Sequence, residues 1–243
     1  MRALITGGGV RLGAAIALAL AEAGFDLVLH YARSADSARA LAKTLARSGC
    51  TVSLVQADLS TPQGCAAVID AAGPVDVLIN NAGIYEAVSA ETITVAQWDR
   101  MQAINTRAPF LLAQGLLAGL QTSTLPGGGL IVNICDIGGQ RPSPGYAHYS
   151  VSKAGLLMLT RALALELAPA VRVNSVSPGT VLPPVDFTEA ALDDIRRTIP
   201  AGRFGTPEDI AASVVFLVRS PYITGQDIAV DGGRSVGGPM EAG

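Results

Sequence analysis

Cysteine is scarce in this chain, and the three present (Cys50, Cys65 and Cys135) are an odd number with no C-x-x-C spacing. That excludes a disulfide framework and a thiolate zinc site, so each thiol is expected as a small buried hydrophobe in a reducing compartment. Charge is sparse too. Acidic and basic residues make up 15% of the sequence and the formal net charge is −3, which leaves no electrostatic footprint for nucleic acid or an anionic membrane surface. No apolar run reaches bilayer-spanning length. The chain opens directly into "MRALITGGG" with no room for a signal peptide. Internal repeats, charge blocks and low-complexity linkers are missing as well. The expectation is one cytoplasmic domain over residues 1–243, with no nucleic-acid partner, no membrane partner and no metal.

What the sequence does have is apolar content, 49% of residues. Short β-branched or leucine-rich runs alternate with longer alanine-rich segments, the pattern of a parallel sheet covered by helices on both faces. Strands are predicted at Ala3–Ile5, Asp26–Leu29, Thr51–Gln56, Val75–Ile79, Leu130–Cys135, Arg172–Val176 and Ile228–Val230. Helices are predicted at Leu12–Ala23, Ala35–Ser48, Pro62–Ala71, Val95–Leu120, Ala147–Ala168 and Pro207–Arg219. The fold class is therefore α/β, a single doubly wound domain. One stretch breaks the alternation: residues 180–205, between Gly179 and Gly205, read as a binding loop or lid with a short helix of its own. Pro183, Phe187 and Ile195 offer it apolar cover.

"ALITGGGVRLGAAIALALAEAG" reads as strand, glycine turn and amphipathic helix, the context a dinucleotide requires. Gly7 and Gly13 remove side chains where pyrophosphate or the helix must approach, and free N–H groups at the helix start favour an anion. Arg11 stands at that helix start, where a cation is unfavourable unless an anion compensates it. Phosphate oxygens supply that compensation. After the second strand come His30, Tyr31, Ala32, Arg33 and Ser34, with no acid to hold ribose hydroxyls. Arginine and a hydroxyl at this point suit a 2′-phosphate, so the expected cofactor is NADPH/NADP+; the other reading of Arg33 is a solvated turn charge. Asp58 can accept from an adenine amino group or cap the helix near Pro62, although Ser60 is the better-placed cap.

"YAHYSVSKAG" places Tyr149 and Lys153 four residues apart on one helical face. A lysine ammonium beside a phenol favours the phenolate, which lowers the tyrosine pKa and lets it relay a proton. "NNAG" at 80–83 and "NSVSPG" at 174–179 follow the fourth and sixth strands.

Together with Thr6–Gly7, Asp58, Asn105 in "INTRAP", Pro178–Gly179 and the tail "YITGQDIAVDGG", these motifs resemble the short-chain dehydrogenase/reductase family over essentially the whole chain. The resemblance implies a seven-stranded doubly wound sheet, a catalytic set of Asn105, Tyr149 and Lys153, and a homotetramer built partly by the tail. It also implies cofactor contacts from Gly7, Arg11 and Leu12, from His30, Tyr31, Arg33 and Ser34, and from Asp58 and Leu59. Further contacts would come from Asn81, Ala82 and Gly83, from Tyr149 and Lys153, and from Pro178, Gly179 and Val181.

One departure is informative. The family's usual serine falls in "VNICDIGGQ", and the residue there is Asp136. A serine would polarise a carbonyl, whereas a carboxylate repels the oxygen on which charge develops. A carboxyl instead suits a nitrogen heterocycle, with which it can exchange a proton or hydrogen-bond. Arg11, the "HYARS" stretch and the Asp–Tyr–Lys set are similar to the pteridine reductases and short-chain dihydromonapterin and dihydrofolate reductases. That resemblance implies a pterin-like small-molecule substrate touched by Arg11, Asp136 and Tyr149. It also implies stacking of the ring on Tyr85, the sixth residue of "NNAGIY"; a plain loop anchor is the other reading of Tyr85.

Overall fold

A computed structural model describes residues 1–182 and 188–237. Seven strands form one all-parallel sheet in the order β3-β2-β1-β4-β5-β6-β7. They are Arg2–Ile5 (β1), Asp26–Tyr31 (β2), Val52–Gln56 (β3), Val77–Asn80 (β4), Gly129–Ile134 (β5), Val171–Pro178 (β6) and Asp227–Val230 (β7). The direction of winding reverses between β1 and β4, and the crevice at their carboxyl ends is where an open α/β sheet takes its ligand.

The helices are Arg11–Glu22 (α1), Ala35–Arg47 (α2), Pro62–Ala72 (α3), Val95–Gln102 (α4), Ala108–Gly115 (α5), Leu117–Gln121 (α6), Ala147–Glu166 (α7), Glu189–Arg197 (α8) and Pro207–Arg219 (α9). Ile16, Ala17 and Leu20 of α1 and Ile210, Val214 and Leu217 of α9 recur at helical spacing and fill the core on one face of the sheet. Leu112, Leu120, Leu163 and Val68 cover the other face. Each fully buried side chain of this size contributes about 1.5–3 kcal/mol. Cys65 and Cys135 are buried as expected, Cys50 only partly, and all three are free thiols.

The long helix predicted over Val95–Leu120 is instead three helices with a π-turn among them. Pro109 has no N–H to offer the carbonyl four residues back, that of Asn105. The ladder widens there into a π-helical turn over Ala103–Arg107, where the Ala108 N–H reaches the Ala103 carbonyl. The cap of α3 is Thr61, whose hydroxyl accepts from the Gly64 N–H at 3.0 Å, rather than Ser60 or Asp58. The short helix expected within 180–205 is α8, and its residue Ile195 is half-buried. Pro183 and Phe187 lie outside the described residues. Among the described residues no helix is long and apolar enough to cross a membrane.

Candidate active site

Thr6 closes the crevice between β1 and β4. Its hydroxyl accepts from the N–H groups of Asn81 and Ala82, each at 2.9 Å, and donates to the Ile79 carbonyl at 3.3 Å. The Asn81 side chain donates back to the carbonyls of Thr6 and Gly7. Gly7 is left-handed at φ 62°, and a Cβ on Gly13 would sit 2.2 Å from the Gly7 carbonyl oxygen, so α1 packs directly on the loop. No side chain caps α1 and no acid stands in its first turn. Its N-terminal N–H groups are therefore open to an anion. Exposed Arg11, at φ 53°, is the one non-glycine residue with positive φ among those described.

His30 sits beneath this loop and not on its ligand side. It is 2% exposed; Nδ1 accepts from the Gly7 N–H at 3.2 Å and Nε2 faces the Ala57 carbonyl at 3.1 Å. Burial pushes its pKa below the ordinary value, and a neutral Nε2–H ring satisfies both contacts. It thus holds the glycine loop from beneath. Tyr31 and Leu59 are likewise buried. Arg33 is exposed and forms no ion pair among the described residues, and the Ser34 hydroxyl makes no cap bond to α2. Asp58 is exposed, and the Ser60 N–H hydrogen-bonded to it at 2.9 Å draws its pKa down. An uncapped helix start and an unpaired arginine beside a free hydroxyl fit pyrophosphate and 2′-phosphate.

On the other side of the crevice, Asp136 follows β5. Its Oδ1 accepts from the Gly138 N–H at 2.5 Å and its Oδ2 from the Tyr149 hydroxyl at 2.9 Å. Tyr149 and Lys153 share the first turns of α7, and both are buried. The Lys153 ammonium donates to the Ile134 carbonyl at 2.9 Å and lies 5.9 Å from the centre of the Tyr149 ring. The lowered phenol pKa expected from this pair is not found. Burial raises the Tyr149 pKa well above the ordinary range, and the Asp136 carboxylate raises it further. Burial also lowers the Lys153 pKa. Tyr149 is a phenol whose proton is already directed at a carboxylate.

Asn105 lies in the π-turn with its side chain spent on the protein. Its Oδ1 accepts from the Ile84 N–H at 2.9 Å, while Nδ2 donates to the Ile84 carbonyl and to the Ser152 hydroxyl, each at 3.0 Å. The side chain is therefore a brace for the segment after β4. Gly83 lies beside it, where a Cβ would be 3.3 Å from Asn105 Oδ1 and 3.7 Å from Lys153 Nζ.

Tyr85 is 60% exposed, yet its ring face is covered by Tyr146, with centroids 4.5 Å apart and planes 15° apart. Its ring also meets Tyr149 edge-on at 4.7 Å. Tyr146 is the residue that sequence reasoning missed. It stands three residues before Tyr149 at the N-terminus of α7, so helical spacing could have drawn attention to it. Pro178 ends β6, the Gly179 N–H donates to the Val230 carbonyl, and Val181 is buried.

A doubly wound sheet, an open glycine loop at its switch point and a Tyr–Lys pair across from that loop define a dinucleotide-dependent oxidoreductase. The chain belongs to the short-chain dehydrogenase/reductase family and binds NADP(H). A family profile described as enoyl-(acyl carrier protein) reductase matches residues 9–235. The chain is 33% identical to 3beta-hydroxysteroid dehydrogenase 1 of Eggerthella lenta, covering 96% of this chain and 93% of that protein. It is 35% identical to the 3-oxoacyl-[acyl-carrier-protein] reductase FabG of Staphylococcus epidermidis over 95% of this chain and 97% of that protein. Among solved structures, the FolM alternative dihydrofolate reductase 1 of Brucella canis, complexed with NADP, is similar at TM-score 0.87 and 33% identity. That match covers 97% of this chain and 94% of that one.

Proposed function

We propose that this chain reduces a pterin or dihydropterin with NADPH. The observation that carries the reading is the Asp136 carboxylate at 2.9 Å from the Tyr149 hydroxyl, beside the exposed aromatic Tyr85. When bound, NADPH supplies a hydride, and a ring C=N carbon is the acceptor in this reading. The Asp136–Tyr149 pair delivers the proton to the adjacent nitrogen. Tyr149 holds the proton of this hydrogen-bonded pair and can pass it to a nitrogen placed against it, with the Asp136 carboxylate as the acceptor that orients the hydroxyl.

In the same reading Arg11, Leu12, Gly7 and Gly13 hold the pyrophosphate. Arg33 and Ser34 hold the 2′-phosphate, Asp58 and Leu59 frame the adenine, and Asn81, Ala82 and Gly83 line the way to the nicotinamide. Lys153 keeps two of its ammonium protons for the ribose, next to Pro178, Gly179 and Val181. Arg11 also faces the pterin, and Tyr85 stacks on it once Tyr146 yields that face. Residues 180–205 close over the ring and exclude water. The protein works in the cytoplasm as a homotetramer. Exposed apolar side chains support the assembly: Val151, Met158 and Leu165 on α7, Phe216 on α9 and Tyr222 just after it. Light scattering should give four chains, and a monomer would remove this part of the reading.

A second reading, reduction of a 3-oxoacyl thioester or other ketone, is favoured by the relatives' names. The two separate in one assay of NADPH oxidation against dihydropterins, dihydrofolate, acetoacetyl-CoA and a 3-ketosteroid. Dihydropterins should be turned over fastest. Asp136→Ser should cut their turnover about a hundredfold, the scale of a lost acid–base group, while improving ketone turnover. Faster reduction of a ketone by the unaltered protein would reject the pterin assignment.

A further inference from the structure

The turn after β7 is bound to three parts of the site's rim. Arg141, which follows the Asp136 loop, donates to the carbonyls of Arg234 (2.8 Å), Ser235 (3.3 Å) and Gly237. Gly232 packs toward Ile199, and Gly237 toward Pro200, just beyond α8. Arg234 itself donates to the Thr180 hydroxyl at 2.5 Å, two residues past Pro178. The tail therefore joins the loop after β5, the loop after β6 and the 180–205 segment at the carboxyl edge of the sheet.

Within that junction Arg234 is electrostatically unfinished. It is half-buried, and its one described side-chain bond goes to a neutral hydroxyl, which leaves most donors of the planar guanidinium unused. No carboxylate pairs with it among the described residues. Asp231, on the same turn, is committed to the N–H groups of Gly233 and Ser235. Arg141 already holds the turn through its backbone, so the Arg234 charge is not needed for that task. The charge also reaches the Tyr85 phenol, favouring its ionised form against the larger opposing effects of burial and of the neighbouring Tyr146 and Asp136.

We propose that Arg234 is a specificity residue that receives an anionic tail, carboxylate or phosphate, on the molecule reduced at Asp136 and Tyr149. A guanidinium on the rim binds such oxygens in pairs and adds most when partly shielded from water. The inference rests on the reductase reading, and it names a property of the substrate beyond its reacting ring.

The test compares matched substrates that differ in the tail. Dihydrofolate carries carboxylates and a simple dihydropterin does not; acetoacetyl-CoA carries phosphates and a short 3-oxoester does not. Arg234→Gln should lower kcat/KM on the anionic member about ten- to a hundredfold, mainly through KM, and change the neutral member less than about threefold. Arg234→Lys should recover part of the loss. Thr180→Val removes the tether but keeps the charge, so it should cost the anionic member less than Arg234→Gln does. The anionic advantage should also shrink as salt is raised. An equal loss on both members of a pair, or no loss on the anionic one, overturns the proposal and leaves Arg234 a structural residue. If only the thioester pair is turned over, the pterin reading fails while Arg234 is judged on that pair. Calorimetric titration of dihydrofolate and acetoacetyl-CoA into the NADP+-saturated protein gives a readout without turnover. Arg234→Gln should weaken the binding, and absence of binding by both anions overturns the proposal.

Discussion

Arg33 and Ser34 are the residues on which cofactor choice turns. A 2′-phosphate that meets an unpaired guanidinium and a free hydroxyl gains charge-assisted hydrogen bonds of about 1.5–3 kcal/mol. Arg33→Ala should therefore lower the preference for NADPH over NADH by at least about tenfold, read as the ratio of dissociation constants by fluorescence titration. An unchanged ratio would make Arg33 the solvated turn charge that the sequence also allowed. Asp136 was legible at this scale because a carboxyl in place of a hydroxyl is a change of chemistry visible in one letter. The direction of the Tyr149 pKa was not. The four-residue spacing put an ammonium near the phenol, but Lys153 spends a proton on the Ile134 carbonyl at the end of β5, while the Asp136 carboxylate just beyond that strand accepts a hydrogen bond from the phenol.

At the scale of elements, the break between α4 and α5 matters most. The alanine- and leucine-rich run over 95–120 has the periodicity of one helix, and periodicity does not register a widened turn. Pro109 was the local signal, since it removes the N–H that the Asn105 carbonyl would have met. The π-turn places Asn105 where its amide braces both backbone groups of Ile84, and with them the segment that carries Tyr85. Asn105→Ala should leave those groups unpaired and cost about 2 kcal/mol in urea unfolding. Turnover should fall with it, and Asn105→Asp, which keeps only the acceptor, should lie between the two. Full stability of the alanine variant would show that water replaces the brace.

Across the whole molecule, acid sensitivity should come in two stages. The folded-state pKa of His30 lies below its ordinary 6.5 because burial opposes the charged form. The unfolded chain thus binds the extra proton first, and stability falls as pH drops below about 6.5. A protonated ring would also turn a donor toward the Gly7 N–H, loosening the glycine loop. Asp58 and Asp209 are depressed below their ordinary 3.8, Asp58 chiefly by the Ser60 N–H and Asp209 chiefly by Arg203. Their contribution is present above about 3.8 and is lost as pH falls through their folded values. Urea midpoints across pH should show both stages, and His30→Gln should lack the first. Superimposable profiles for the two proteins would place the His30 pKa elsewhere.

The doubly wound sheet, the glycine loop and the Tyr149–Lys153 pair were determined by sequence alone, because each depends on neighbours within a turn or on the alternation of buried and exposed residues. Strand order could bring no such local signal to the rest. Tyr149 meets Asp136 only once β5 and α7 lie side by side. Tyr85 lends its face to Tyr146 only because two loops converge over the crevice. Arg141 grips the Arg234 carbonyl across 93 residues of chain. Those contacts exist because a parallel sheet gathers the ends of distant strands at one edge, and periodicity along a chain carries no record of which ends will meet.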